Sequence, residues 1–159
     1  MNHFLGEHKV KVDEKGRIKL PASLKQQMNP EANGKFVVNR GFEGCLELYP
    51  LDIWIRYRNA LQKKVNKFNP KHRKFIRRFI SGATELTLDA ADRLNFPNHL
   101  LKEIEVLDEA YLTPGQDTIE LWSAKKYEEN VLGMDAETYE DLADEVLGDI
   151  NLWDDNAQE

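Results

Sequence analysis

A chain of 159 residues, 41% of them apolar, can fill one core, and a single domain is the default at this length. The lone Cys45 excludes an intramolecular disulfide and fits a reducing compartment, and residues 1–6 carry no long apolar run, so neither a signal peptide nor a transmembrane helix is expected. The formal net charge of −6 hides a segregation: residues 53–84 hold ten Lys or Arg and no acid, while residues 130–159 hold ten acids and no Lys or Arg, so the acidic total does not exclude local binding of a polyanion.

In chain order, residues 8–12 alternate, with Val10 and Val12 on one side and Lys9 and Lys11 on the other. Residues 17–20 alternate too, with Ile18 and Leu20 apolar, so both stretches read as half-buried strands. Between them Asp13-Glu14-Lys15-Gly16 reads as a turn, in which the Asp13 carboxylate accepts backbone N–H groups and Gly16 supplies a positive φ. Pro21 opens a short helix whose stripe is Leu24 and Met28 and which Pro30 stops. Residues 35–38 and 45–49 read as two more strands.

A basic helical hairpin follows. Its first helix carries Trp54, Tyr57, Leu61 and Val65, with Asp52 near its start. Its second, opened by Asn69-Pro70 and ended by Ser81-Gly82, has Phe75, Ile76, Phe79 and Ile80 on one side and Lys71, Lys74 and Arg78 on another.

The strand–turn–strand–helix unit then returns. Asp13, Arg17, Pro21 and Leu24 recur as Asp89, Arg93, Pro97 and Leu100, each 76 residues on, and Leu46-Glu47-Leu48-Tyr49 falls on Ile119-Glu120-Leu121-Trp122. A short helix over residues 124–130 puts Tyr127 in the place of Trp54. A last helix opens at Asp135 or Ala136 with Leu142, Val146 and Ile150 four apart, and residues 151–159 form an acidic, frayed end. Four short strands do not close a core alone. The expectation is therefore a mainly β fold with α: two tandem repeats forming one pseudo-symmetric β-barrel, with a helical hairpin linker and a C-terminal helix. The divisions are 7–52 for the first repeat, 53–82 for the basic linker, 83–126 for the second repeat and 127–159 for the acidic helix and tail.

The outward positions of the first hairpin are Lys9, Lys11, Arg17 and Lys19, with Lys15 in its turn; those of the second are Glu85, Thr87, Arg93 and Asn95. The first set sums to +4 and the second to zero. Two readings stand: a solvated sheet face, or a nucleic-acid surface in which a two-stranded ribbon enters the major groove and Arg pairs with guanine. If a polyanion binds, the first repeat holds it and the second is scaffold. The basic linker meets either phosphates or an acidic tail. Asp13, Gly16, Asp89 and Arg93 read as structural turn residues rather than an acid–base pair. The four His have no metal-ligand spacing and there is no Gly-rich phosphate loop, so no enzyme, metal, cofactor or small-molecule substrate is expected. Cys45 reads as a small buried hydrophobe, and Trp54, Trp122 and Trp153 as core or interface.

Asp13-x-x-Gly16-Arg17-Ile18-x-Leu20-Pro21 and Asp89-x-x-x-Arg93-Leu94 resemble the paired DxxxR motifs of the MraZ family, whose units belong to the swapped-hairpin SpoVT–AbrB superfamily. Leu46-x-Leu48-Tyr49-Pro50-Leu51-x-x-Trp54 and the linker ending Arg77-Arg78-Phe79-Ile80-Ser81-Gly82-Ala83 are similar to the family as well, over residues 1–147. One departure is Asp92 at the place of Gly16, which predicts a second turn of different shape. The resemblance implies a transcriptional regulator, generally a repressor, of the division and cell-wall gene cluster. It implies rings of subunits on tandem promoter repeats of double-stranded DNA, and location in the cytoplasm at the nucleoid. The implied site is Arg17, with Lys15 and Lys19 beside it. The alternative is an oligomeric antitoxin-like or adaptor protein that binds an acidic partner instead of DNA.

Overall fold

A computed structural model describes residues 3–151 and 153; most of the acidic stretch expected to fray, 154–159 included, lies outside them. The first repeat comprises β1 (His8–Lys11), β2 (Arg17–Lys19), α1 (Ala22–Gln26), β3 (Lys35–Arg40) and β4 (Leu46–Pro50). The linker is α2 (Leu51–Lys64) and α3 (Pro70–Ser81). The second repeat comprises β5 (Thr84–Thr87), β6 (Arg93–Asn95), α4 (Asn98–Glu103), β7 (Glu109–Pro114) and β8 (Ile119–Trp122). Two helices end the chain, α5 (Ala124–Asn130) and α6 (Ala136–Leu147). None of the helices among the described residues is long and apolar enough to cross a membrane. The caps obey local chemistry: the Asn69, Ser123 and Asp135 side chains accept N–H bonds in the first turns of α3, α5 and α6. Pro30 does more than stop a helix. Asn29 caps a short 3-10 turn over Pro30–Ala32, and α1 has already ended at Gln26.

The strands form a six-stranded antiparallel sheet in the order β1-β7-β8-β4-β3-β5 and a two-stranded ribbon of β2 with β6. Exchanging the repeats turns the six-strand order into its own reverse, which is the mark of a pseudo-twofold axis between β4 and β8. Glu47 faces its own repeat-mate Glu120 across that axis, and Ile18 faces its repeat-mate Leu94 in the ribbon. Each first strand therefore pairs away from home, β1 on β7 and β5 on β3. The ladders leave β1 and β5 as the ends of the sheet, and a closed barrel is not shown. Between sheet and ribbon lies one core drawn from both repeats, including Val10, Ile18, Leu24, Phe36, Leu48, Leu94, Leu100 and Leu121. Full burial of such side chains contributes about 1.5–3 kcal/mol each before chain entropy is charged against it.

The outer side of β3 and β4 is covered by the linker. Val37, Tyr49, Ile53 and Trp54 pack with Phe79 and Ile80 of α3, and the Trp54 and Phe79 rings stack at 5.8 Å. Asn39, fully buried, donates to the Phe79 carbonyl at 2.6 Å and pins α3 to the sheet. Trp122 and Tyr127 with Cys45 form the matching cluster of the second repeat, so Tyr127 does stand where Trp54 stands.

At the axis, Glu47 accepts from the Thr118 and Tyr49 hydroxyls, whereas the Glu120 carboxylate has only the Cys45 thiol as a hydrogen-bond donor among the described residues. Burial, and behind it the charges of Glu47 and Glu43, hold the Glu120 carboxyl above its ordinary range; burial likewise pushes the Cys45 thiol far up and keeps it protonated. An acid raised in the fold contributes fully below its unfolded pKa, and that contribution is lost as pH rises through the folded value. Glu120→Gln is accordingly expected to stabilise the protein at pH 7.5, by up to ~1 kcal/mol as for other like-charge cross-strand pairs, with the gain vanishing below pH 4. Melting temperatures of both proteins across that range check it.

Candidate nucleic-acid interface

The two DxxxR turns are built alike. The Asp13 carboxylate accepts from the Lys15 and Arg17 backbone N–H groups at 3.0 and 2.8 Å, and its second oxygen accepts from Arg17 Nε at 2.7 Å. Asp89 accepts from the Ala91 and Arg93 N–H groups, both at 2.9 Å, and from Arg93 Nε at 2.9 Å. The backbone N–H of Arg17 is the largest influence holding the Asp13 carboxyl below its usual range, and that of Arg93 does the same for Asp89. A carboxyl depressed in the fold stabilises above its unfolded pKa, near 3.9, and that contribution is lost as pH falls through the folded value. Asp13→Asn and Asp89→Asn should therefore lower the melting temperature at neutral pH, with the gap to the native protein closing toward pH 2. A gap that stays constant with pH would mean that the carboxylate charge is not what holds the turn.

Asp92 was expected to reshape the second turn, and it does not. Asp92 adopts φ +59° where Gly16 has φ +80°, and both backbone N–H groups return to the turn Asp carbonyl at 3.0 Å. The neighbours explain why the residues differ. A Cβ on Gly16 would meet Asn98 Oδ1 and the Phe96 carbonyl at 3.0 Å. The equivalents of Asn98 and Leu101 in the first repeat are Ala22 and Lys25; the small side chain leaves room, and Lys25 Nζ bonds Asp92 Oδ1 at 2.7 Å. A cross-repeat ion pair thus offsets the unfavourable φ.

The five expected DNA-contacting residues do not lie on one ribbon. β1 and β2 meet only through a single Val12–Ile18 bridge, because β1 pairs with β7 and β2 with β6. Lys9 is bound to Glu109 at 3.2 Å, the acid that also lies opposite Lys11 in the β1–β7 register, so the β1 cations face a carboxylate of the second repeat. The Glu109 hydrogen bond is the first cause holding the Lys9 ammonium above its ordinary range. The ribbon that does form carries Arg17 and Lys19 beside two residues assigned above to scaffold: Arg93 lies across from Lys19, and Asn95 across from Arg17. Lys15 is exposed in the adjoining turn.

The outward face of the ribbon is therefore Arg17, Lys19, Arg93 and Asn95, centred on the buried Ile18–Leu94 pair. Each Arg has its Nε tied to a carboxylate, which fixes the plane of the guanidinium, and its terminal nitrogens make no protein hydrogen bond among the described residues. A planar fork so held is prepared for bidentate acceptors such as phosphate oxygens or a guanine edge. The contribution of the second repeat was missed because the alternation of residues 93–95 shows that Arg93 and Asn95 point out, but not which strand lies beside them. The recurrence of the motif was the available signal, since symmetric repeats can pair with each other at the axis.

Two repeats exchange strands about a pseudo-twofold axis, with a cation-bearing ribbon on that axis, and so define a tandem strand-exchanged repeat protein of mixed sheet and helix. The chain belongs to the MraZ family: the family model described as "MraZ protein, putative antitoxin-like" matches residues 3–78 and again 79–147. Similar proteins include the "Transcriptional regulator MraZ" of Christiangramia forsetii, 36% identical over 152 residues, which cover 93% of this chain and 95% of that one. The protein of the same name from Flavobacterium psychrophilum is 36% identical over 155 residues, 95% of this chain and 96% of its own. That of Halothermothrix orenii is 35% identical over 143 residues, 88% and 94% respectively.

Proposed function

We propose that this chain is a sequence-specific DNA-binding transcriptional regulator, a repressor, that acts without enzymatic chemistry. The observation that carries the reading is the β2–β6 ribbon, whose outward Arg17, Lys19 and Arg93 stand beside exposed Lys15 with both guanidinium groups oriented by their turn carboxylates. The relatives' name supports the same role. A two-stranded ribbon fits the major groove, where Arg recognises guanine and Asn recognises adenine in bidentate fashion. Arg17 is the principal reader, with Lys15 and Lys19 on flanking phosphates and Lys9 and Lys11 in an outer ring of positive charge. One ribbon per chain is a small reader, so the working form is a homo-oligomer, a ring, whose several ribbons engage tandem promoter repeats with high effective concentration. On the resemblance, the target is the division and cell-wall gene cluster and the protein sits at the nucleoid.

The test is a titration of the protein's own upstream region over a range of salt. Each phosphate neutralised contributes roughly −0.9 to the log–log slope, so a slope of several units that steepens with the number of repeats supports the reading. A second reading, an antitoxin-like adaptor for an acidic protein partner, draws on the basic face of α3 and on the family description. A flat salt response with duplex DNA would favour it.

A further inference from the structure

Helix α6 is folded, yet it has no buried residue. At 100° per residue Tyr139, Leu142, Val146 and Leu147 fall on one side, and all four are exposed. The rest of its surface holds Glu137, Glu140, Asp141, Asp144 and Glu145 and no Lys or Arg. None of these acids is ion-paired among the described residues. A bare 12-residue helix is marginal in water, so its apolar side calls for a cover.

A surface of complementary character lies on the same chain. Between α3 and the β3–β4 loop runs a groove of about 600 Å³ lined by Phe42, Phe75 and Phe79, with Lys74 and Arg78 on the α3 side; its two acids are Glu103, which is paired with Arg40, and Glu43. Phe42 is 71% exposed and Phe75 48%. α3 carries five cations, Lys71, Arg73, Lys74, Arg77 and Arg78, and no acid, and none of them is ion-paired among the described residues. Five unpaired acids on α6 and five unpaired cations on α3, two of which line the groove, are opposite in sign and equal in number.

We infer that α6 of one copy seats its Tyr139, Leu142 and Val146 stripe in the Phe42, Phe75 and Phe79 groove of the next copy, with its flanking carboxylates on Lys74 and Arg78. This is the helix-in-groove mode of recognition. Two different surfaces meet, so the contact is head-to-tail: an open assembly keeps one free helix at one end and one free groove at the other until it closes. The inference rests on the oligomeric form proposed above and names the surface that builds it. It also gives the segregated charges one role, assembly, and leaves the ribbon free for DNA.

The test reads assembly by sedimentation velocity without DNA, and separately reads binding to a duplex carrying one promoter repeat. Leu142→Asp/Val146→Asp and Lys74→Glu/Arg78→Glu alter exposed side chains, so each should keep the native circular dichroism spectrum and a cooperative melt, lowered only by the loss of assembly. Each should also fall from the native oligomer to the 18.5 kDa single chain and still bind the one-repeat duplex at low salt. Adding Glu140→Lys/Glu145→Lys to the Lys74→Glu/Arg78→Glu chain should restore the oligomer, because the reversed charges match again. In a mixture of two chains carrying either Phe75→Cys or Val146→Cys, a short bis-maleimide should join one of each. Variants that stay fully assembled would overturn the inference. So would a link confined to a single chain carrying both cysteines, which would mean that α6 covers its own groove. Loss of one-repeat DNA binding by Lys74→Glu/Arg78→Glu with the oligomer intact would also overturn it, by making the groove a phosphate surface.

Discussion

Arg17→Ala is expected to remove specific retention of tandem duplex DNA while the fold stays intact. The side chain is exposed enough to reach DNA, its Nε is held by Asp13 at 2.7 Å, and Lys15 and Lys19 flank it. Loss of one base-reading Arg costs about 1–3 kcal/mol per engaged subunit. Several subunits engaged on tandem sites multiply that loss, so binding falls below detection at concentrations where the native chain is saturated. The pair with Asp13 is a surface contact worth about 0–1 kcal/mol, so the melting temperature should drop by only a few degrees. Arg93→Ala is the informative companion. Its guanidinium is tied to Asp89 in the same way, and it lies across the ribbon from Lys19. Its chain neighbours at the matching positions are Ala91 and Asn95, not lysines, and Asp92 adds a carboxylate beside it. A smaller loss, with most affinity kept, is therefore expected. Titration of both variants against one promoter fragment at fixed salt, with melting curves alongside, checks this. Equal losses would mean that the two repeats read DNA equally, and a loss confined to Arg93→Ala would reverse the assignment.

Residues 3–82 alone are expected not to form a folded monomer. This is the larger effect on stability, because it removes all of the 5–15 kcal/mol that a domain of this kind has. In the whole chain β1 pairs only with β7, β2 pairs with β6, and β4 has β8 on its inner side. The fragment keeps only the β3–β4 hairpin and the linker helices that pack on it. A two-stranded hairpin is marginal in water, and Val10, Ile18 and Leu24 would lose the second-repeat side of their core. Thermal unfolding followed by circular dichroism should show no cooperative transition for the monomeric fragment. If it folds at all, it should do so as a dimer in which a second copy supplies the missing strands, with a melting point that rises with concentration. A fragment that sediments as a monomer and melts cooperatively would show that the exchange of strands is not what holds the fold.

Much of the fold was legible in the residues. Val10 and Val12, and Ile18 and Leu20, alternate because one side of each strand is buried. Leu24 and Leu100 mark the inner sides of two short helices. The recurrence of Asp13, Arg17 and Pro21 at Asp89, Arg93 and Pro97 announced two copies of one unit. The carboxylate-held turn was legible too, because the contacts of Asp13 reach no farther than Arg17. Local charge grouped Lys9, Lys11, Arg17 and Lys19 with Lys15, and the family resemblance singled out Arg17 with Lys15 and Lys19 from that set. The conformation at Asp92 was misjudged from propensity, which knows nothing of Ala22 making room or of Lys25 reaching Asp92 Oδ1 from across the axis. Arg93 and Asn95 were placed in scaffold although they lie beside Lys19 and Arg17.

What the sequence determined by itself were the local terms: the periods of the strands and helices, the helix starts at Asn69 and Asp135, the two Asp-anchored turns, the repeat, and the separation of basic linker from acidic end. Each is set by interactions within a few residues along the chain, or by a pattern that reports which side of an element leaves water. Only the tertiary structure decided the partners. It set β1 on β7 rather than on β2, put Arg93 beside Lys19, gave Lys9 to Glu109, and brought Glu47 face to face with Glu120. Alternation fixes the inward face of a strand and is silent about its neighbour, since backbone N–H and C=O groups are the same on every strand. The choice falls to the arrangement that buries the inward side chains of both repeats in one core, and that is a property of the whole chain.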